Sequence, residues 1–224
     1  MTDAASLAAV RRTAVGVAVA TAAYGVSFGA LATSSGFDVW QACAMSLLIF
    51  TGASQFALVG IIGAGGSLIS GVATAWMLGA RNAFYGLRLA SILNLRGWRR
   101  PVGAHLVIDE STAQAVAHEE PALARVGFWY GGGILFVCWN AATLLGALVG
   151  ARLGDPKAYG LDAASSAAFL ALLWPRLSNG ITRTVAALAA VLAVLVIPLV
   201  PAGVPVLVAG LAAIVAGSFR WGLQ

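Results

Sequence analysis

Between Val185 and Gly217 the chain carries no charged residue. Written as one helix, this run would reach ~50 Å, well beyond the ~30 Å hydrocarbon core of a bilayer. Pro198, Pro201, Gly203 and Pro205 interrupt it, and the missing N–H groups of the prolines with the turn chemistry of the set make it a hairpin of two helices. Only a lipid environment accepts so much uninterrupted apolar surface. The rest of the chain agrees: of its 224 residues 60% are hydrophobic and 9% charged, where a soluble domain carries about 25% charged residues. Too few charges remain to cover a globule of this size in water.

The sequence therefore reads as an all-α integral membrane protein. It is a polytopic bundle of six to seven hydrophobic segments in one transmembrane domain, residues 1–224. The segments are Thr13 to Thr33, Trp40 to Ile62, Ser67 to Leu93, Val126 to Ala151, Leu161 to Leu177, Ile181 to Val200 and Val204 to Phe219. Arg11 and Arg12 before the first run look like the start of a signal peptide. The run continues for a full span without a small-residue cleavage site, which favours a retained helix. The net charge of +5 sits singly or in small groups between apolar stretches, as loop anchors do, and no nucleic-acid partner is expected. Cys43 and Cys138 fall inside apolar segments, and with two distant His they make no metal-ligand spacing. No cofactor or metal is expected.

Orientation follows from the loop charges. Leaving Arg81 and Arg88 inside their helix, 13 − 2 = 11 basic residues remain. If all segments span and the N-terminus is inside, seven lie outside and four inside, against the positive-inside rule. If Trp40 to Ile62 enters and returns on the same face, only Arg152 and Lys157 lie outside and nine lie inside. A bacterial cytoplasmic membrane with the N-terminus and the Arg96 to Arg100 loop cytoplasmic is then expected. Thr51-Gly52-Ala53-Ser54-Gln55 supplies a break between two apolar arms, the first long enough to reach the midplane at ~16 Å. Unwound backbone there must be buried in protein or line a cavity. A continuous helix packed by its Gly and Ser is the competing reading.

Ser67, Thr74, Arg81 and Arg88 recur every seven residues and share one face of the third segment. Arg88 is near an end and can snorkel, whereas Arg81 lies ~20 Å from either end of a continuous helix. A guanidinium at that depth costs ~3 kcal/mol on insertion scales. Either an ion pair or carbonyl cage locks it, or it lines a solute path and grips a carboxylate bidentately. Asn82 and Tyr85 stand beside it. Ala104 to Glu120, with His105, Asp109, Glu110, His118, Glu119 and Glu120, is too short and charged to cross and reads as a cytoplasmic or partly inserted helix. Dehydration favours a protonated carboxyl, which makes Asp109 and Glu110 candidates for proton coupling. The competing reading has Asp109 as an N-cap and Glu110 in the first turn. Gly127, Gly131, Gly132, Gly133, Gly146 and Gly150 allow close helix approach, either inside the bundle or against a partner.

Thr51-Gly-Ala-Ser-Gln-Phe56, Arg81-Asn-Ala-Phe-Tyr-Gly86 and Asp109-Glu110, in this order, resemble the AzlC-type large subunit of branched-chain amino acid exporters, the LIV-E family, over essentially the whole chain. The chain departs from that pattern at Gly79 and Asn82, where the family commonly has Asn or Asp and His. The resemblance implies secondary export of branched-chain or similar neutral amino acids together with a small membrane subunit of AzlD type. The residues themselves suggest how a zwitterion would be held. Arg81 and the amides around Gly52, Ser54 and Gln55 are donors for its carboxylate, while carbonyls near Thr51 and Gln55 Oε1 are acceptors for its ammonium. A channel, or an intramembrane enzyme of unknown substrate, is the alternative. Against the enzyme, the sequence lacks a His-Glu-x-x-His pair, a Gly-x-Ser-x-Gly turn and a His in any apolar segment.

Overall fold

In the computed structural model, residues 4–152, 170, 173, 174, 177–201 and 203–221 are described, and every regular element among them is helical. In chain order these are α1 (Ala4–Ser34), α2 (Val39–Leu48), α3 (Ala53–Gly63), α4 (Leu68–Gly79), α5 (Arg81–Leu93), α6 (Arg99–His105), α7 (Asp109–Val116), α8 (Pro121–Arg152), α9 (Gly180–Val196) and α10 (Val204–Trp221). Of the described helices, α1, α8, and α9 with its 3-10 extension to Leu199 are long and apolar enough to cross a membrane.

The scaffold is the pair α1 and α8. Ala14, Ala18, Ala22, Gly25, Gly29 and Ala32 form a buried stripe of small residues on α1, which meets Gly146, Ala147 and Gly150 of α8. Lipid offers no hydrophobic drive for helices to associate, so close packing of small residues supplies the attraction. A Cβ on Gly146 would collide with the Val26 backbone, and one on Gly150 would lie 2.9 Å from Ala30 Cα. Gly25 packs against Trp139 and Gly29 against Thr143, so residue numbers rise together and the two helices run parallel. The GxxxG element of α8 is thus internal packing, and so are Gly127, Gly131 and Gly132, which meet Gln114, Ser111 and Leu106.

Two helical hairpins enter this scaffold from opposite ends. α2 starts beside the C-terminal end of α1 and descends along α8, through a Ser46 Oγ to Thr143 Oγ1 hydrogen bond of 3.2 Å and a Phe50–Phe136 edge contact at 5.1 Å. The chain then unwinds over residues 49–52. α3 climbs back until Gly63 packs on Ser35, a Cβ there lying 2.9 Å from Ser35 Cβ. Trp40 to Ile62 is therefore re-entrant, and the continuous-helix reading fails. The break lies slightly earlier than the sequence suggested, with Ser54 and Gln55 already in the first turn of α3.

α4 descends beside α3, Gly71 against Leu58 and Gly79 against Ser54. A turn at Ala80 separates it from α5, which runs on to the other end, where Arg125 Nε donates to Ile92 O at 3.3 Å. This corrects the continuous helix expected over Ser67 to Leu93: Arg81 is the first residue of a new helix at mid-depth. From that end α6 rises along α8, Gly103 near Trp129 and Leu106 against Gly132, and α7 returns with Gln114 against Gly127 and Gly131. The Ala104 to Glu120 stretch is thus largely an inserted hairpin.

The two tips meet near the middle of α8. Its 32 residues span ~48 Å, and the Phe50 and His105 rings stand 6.2 Å apart beside Phe136. The run after Gly180 forms the expected hairpin, α9 and α10, its turn at Gly203 packed on Ser70 and Ile61. The expected segment Leu161 to Leu177 lies almost wholly outside the described residues.

Candidate functional site

Each tip is closed by the same local device. At the first, Gly52 adopts φ +58°, which side-chain-bearing residues rarely accept. Its N–H donates to Gln55 Oε1 at 3.2 Å while Gln55 Nε2 donates to Met45 O at 3.3 Å. Gln55 is fully buried, so it ties the end of α2 to the start of α3 and stands behind the tip. At the second, the Ile108 N–H donates to Ser111 Oγ at 3.1 Å, and Ser111 Oγ donates to Leu106 O at 2.6 Å. Both tips spend a side chain three residues into the helix on the backbone of the N-cap, which spares them unsatisfied backbone groups in a dry place. Ile108 is the N-cap of α7. Asp109 is its first residue, which corrects the N-cap role considered for it and frees its carboxylate for another partner.

That partner is Arg81, whose Nη1 lies 2.9 Å from Asp109 Oδ2, the two side chains 31% and 23% exposed. The pair lies at a cavity of about 280 Å³ between the tips. Thr51, Gly52, Ala53 and Phe56 line it from the first hairpin, Ile108, Asp109 and Glu110 from the second, Leu78 and Arg81 from α4 and α5. α1 contributes Thr21 and Tyr24, and α8 contributes Leu135 and Trp139. The N-termini of α3 and α7 both open here, each adding about +0.5 charge to that of Arg81. Arg81 and the two helix N-termini stand beside the carboxylates of Asp109 and Glu110 amid apolar walls, so the cavity carries groups of both charges.

Of the residues singled out in the sequence, Thr51, Gly52, Arg81, Asp109 and Glu110 line the cavity. Ser54, Gln55, Asn82 and Tyr85 do not. Ser54 is buried against Gly79, and among the described residues neither its hydroxyl nor the buried Asn82 Oδ1 has a hydrogen-bond partner. Tyr85 packs on the core from α5. Sequence reasoning missed Thr21, Tyr24, Phe50 and Trp139. The Trp139 ring stacks near Phe28 at 6.4 Å, and its buried Nε1–H finds no acceptor among the described residues. A Trp-Asn pair at the centre of a 32-residue apolar helix was the available signal.

The AzlC protein family matches residues 16–153, the span that holds α1, both hairpins and α8. The chain belongs to the AzlC family. Relatives include an uncharacterized membrane protein of Archaeoglobus fulgidus, 36% identical over 155 residues covering 68% of each chain. One of Helicobacter pylori is 28% identical over 177 residues, 78% of this chain and 77% of the relative. Inner membrane protein YgaZ of Escherichia coli is 30% identical over 143 residues, 63% of this chain and 58% of YgaZ. No solved structure matches. The family is that of the large subunit of branched-chain amino acid exporters, and its members here are membrane proteins, so this AzlC protein is a transport-related membrane protein.

Proposed function

We propose that the protein is the large subunit of a secondary exporter of branched-chain or similar neutral amino acids, coupled to protons, and that the cavity between the hairpin tips is its solute site. The observation that carries this reading is the Arg81–Asp109 pair at the meeting of two opposed re-entrant tips. Broken helices whose ends face a midplane cavity are how secondary transporters hold charged solutes in lipid.

The volume of about 280 Å³ lies just below the ~300–1,000 Å³ typical of drug-sized ligands, which suits a single small amino acid. The solute carboxylate takes Arg81 and the N-terminus of α3, its ammonium takes Glu110, and its aliphatic side chain rests on Phe50, Phe56, Leu78 and Trp139. A carboxylate that takes Arg81 displaces Asp109. The solute carboxylate and Asp109 thus compete for Arg81, and Asp109 and Glu110 are the groups assigned to coupling solute movement to protons. A cytoplasmic N-terminus and a small AzlD-type subunit complete the proposal, with Arg11, Arg12, Arg96, Arg99, Arg100 and Arg125 gathered at the cytoplasmic end.

Everted vesicles containing the protein and its small subunit are expected to accumulate labelled leucine or valine when an inward-acid gradient is imposed, and to show counterflow with unlabelled solute. Absence of uptake for every neutral amino acid refutes the assignment, and uptake without counterflow favours a pore.

A further inference from the structure

A second cleft lies far from the solute cavity, at the end of the bundle where α1 begins. It has a volume of about 550 Å³ and is lined by Leu93, Arg96, Trp98, Arg99, Arg125 and Trp129 together with Asn94 and Leu95. We infer that this cleft is a binding site for the phosphate of an anionic phospholipid headgroup.

Its depth supports this. α8 spans ~48 Å against a hydrocarbon core of ~30 Å, which leaves ~9 Å, or about six residues, projecting at each end if the helix is centred. Arg125, the fifth residue of α8, is then at headgroup level, and Trp129 is at the boundary, where indole rings settle. Trp98 is 72% exposed and anchors the loop at the same level.

The chemistry is that of a phosphate site. Three exposed guanidinium groups face one cleft, and among the described residues neither Arg96 nor Arg99 makes an ion pair. Two of the three are also oriented. Arg125 Nε donates to Ile92 O at 3.3 Å, which fixes the start of its fork, and the Arg99 guanidinium rests over the Trp98 ring at 5.7 Å. Oriented guanidinium groups bind phosphate bidentately. Basic pockets between membrane helices on the cytoplasmic side are where anionic headgroups bind. The loop that builds the cleft is itself shaped by Asn94 in the left-handed conformation and by Leu95 folded onto Gly103, and the charge is concentrated there without any use in the solute cavity.

The test is native mass spectrometry of the full-length protein in mild detergent, with phosphatidylglycerol or cardiolipin, with phosphatidylcholine of the same chains, and with inorganic phosphate. One anionic lipid retained per chain is expected, with phosphatidylcholine at least tenfold weaker. Arg96→Gln/Arg99→Gln is expected to lower retention about tenfold. Arg11→Gln/Arg12→Gln, which removes equal charge at the same end outside the cleft, is expected to leave it within twofold. Equal loss in the two variants, or equal retention of phosphatidylcholine, overturns the site. Displacement of the lipid by millimolar inorganic phosphate overturns the lipid source and assigns the cleft to free phosphate.

Discussion

Arg81 Nη1 lies 2.9 Å from Asp109 Oδ2, and this bond joins the first residue of α5 to the first residue of α7. One partner follows the mid-depth turn of a crossing segment, and the other stands at the tip of a hairpin inserted from the N-terminal end of α1. The pair therefore ties together two elements whose relative position sets the width of the cavity.

Being about a quarter to a third exposed, the pair falls between a surface bridge, worth 0–1 kcal/mol, and a buried one, whose breakage costs 3–5 kcal/mol. Arg81→Ala and Asp109→Ala should each destabilise the detergent-solubilised protein, and the double variant by less than their sum, with a coupling energy of about 1–3 kcal/mol. Thermal unfolding of the three variants measures it. Additive losses would mean that the contact carries no net energy. Arg81→Ala should also reduce transport to background while the protein still inserts.

Gln55 offers a different test, because it is fully buried and bridges Gly52 N–H and Met45 O across the first tip. Gln55→Leu keeps the bulk but strands a donor and an acceptor, at about 1–3 kcal/mol for each buried group left unmet. Gln55→Glu retains the acceptor for Gly52 but sets a buried carboxylate against Met45 O, and should lose at least as much. An unfolding midpoint for Gln55→Leu equal to that of the parent protein would contradict the bracing role. Because Gln55 does not line the cavity, its substitution should lower transport through stability and leave the apparent solute affinity of the surviving protein near the parent value.

Much of this was legible in the sequence because lipid makes the rules strict. The apolar runs gave the helices, the loop charges favoured re-entry of Trp40 to Ile62, and Thr51, Gly52, Arg81, Asp109 and Glu110 were singled out before their meeting could be seen. What was not legible has a common cause. The turn at Ala80 has only Gly79 beside it, and a single Gly, like Gly86 within α5, does not by itself distinguish Ser67 to Leu93 from a continuous helix. It becomes intelligible only once Gly79 is seen packed on Ser54 at the first tip. Likewise the charges of Ala104 to Glu120 left a cytoplasmic and a partly inserted helix both open, and α6 and α7 insert because Ser111 satisfies their tip and the glycines of α8 make room for Gln114 and Leu106. Tertiary satisfaction of polar groups overrides hydropathy there.

The re-entrant topology makes the last prediction. Ser35 and Ala64 flank α2 and α3, and Gly63 packs on Ser35, so both positions lie at the same end of the bundle. Trp98, between α5 and α6, lies at the other end with Arg125 and Trp129. With Cys43 and Cys138 replaced by Ala, single cysteines at Ser35 and Ala64 should react with an impermeant maleimide added to one face of sealed vesicles, and a cysteine at Trp98 only when the reagent reaches the other. A spanning Trp40 to Ile62 would put Ser35 and Ala64 on opposite faces, so differential labelling of these two positions rejects the hairpin. Because the charge count places the Arg96 to Arg100 loop inside, right-side-out vesicles should label Ser35→Cys and Ala64→Cys and spare Trp98→Cys, and everted vesicles should give the reverse. Reversal of both patterns would keep the hairpin but invert the protein. The basic end would then face outward, and the proposed direction of solute movement would have to be reversed with it.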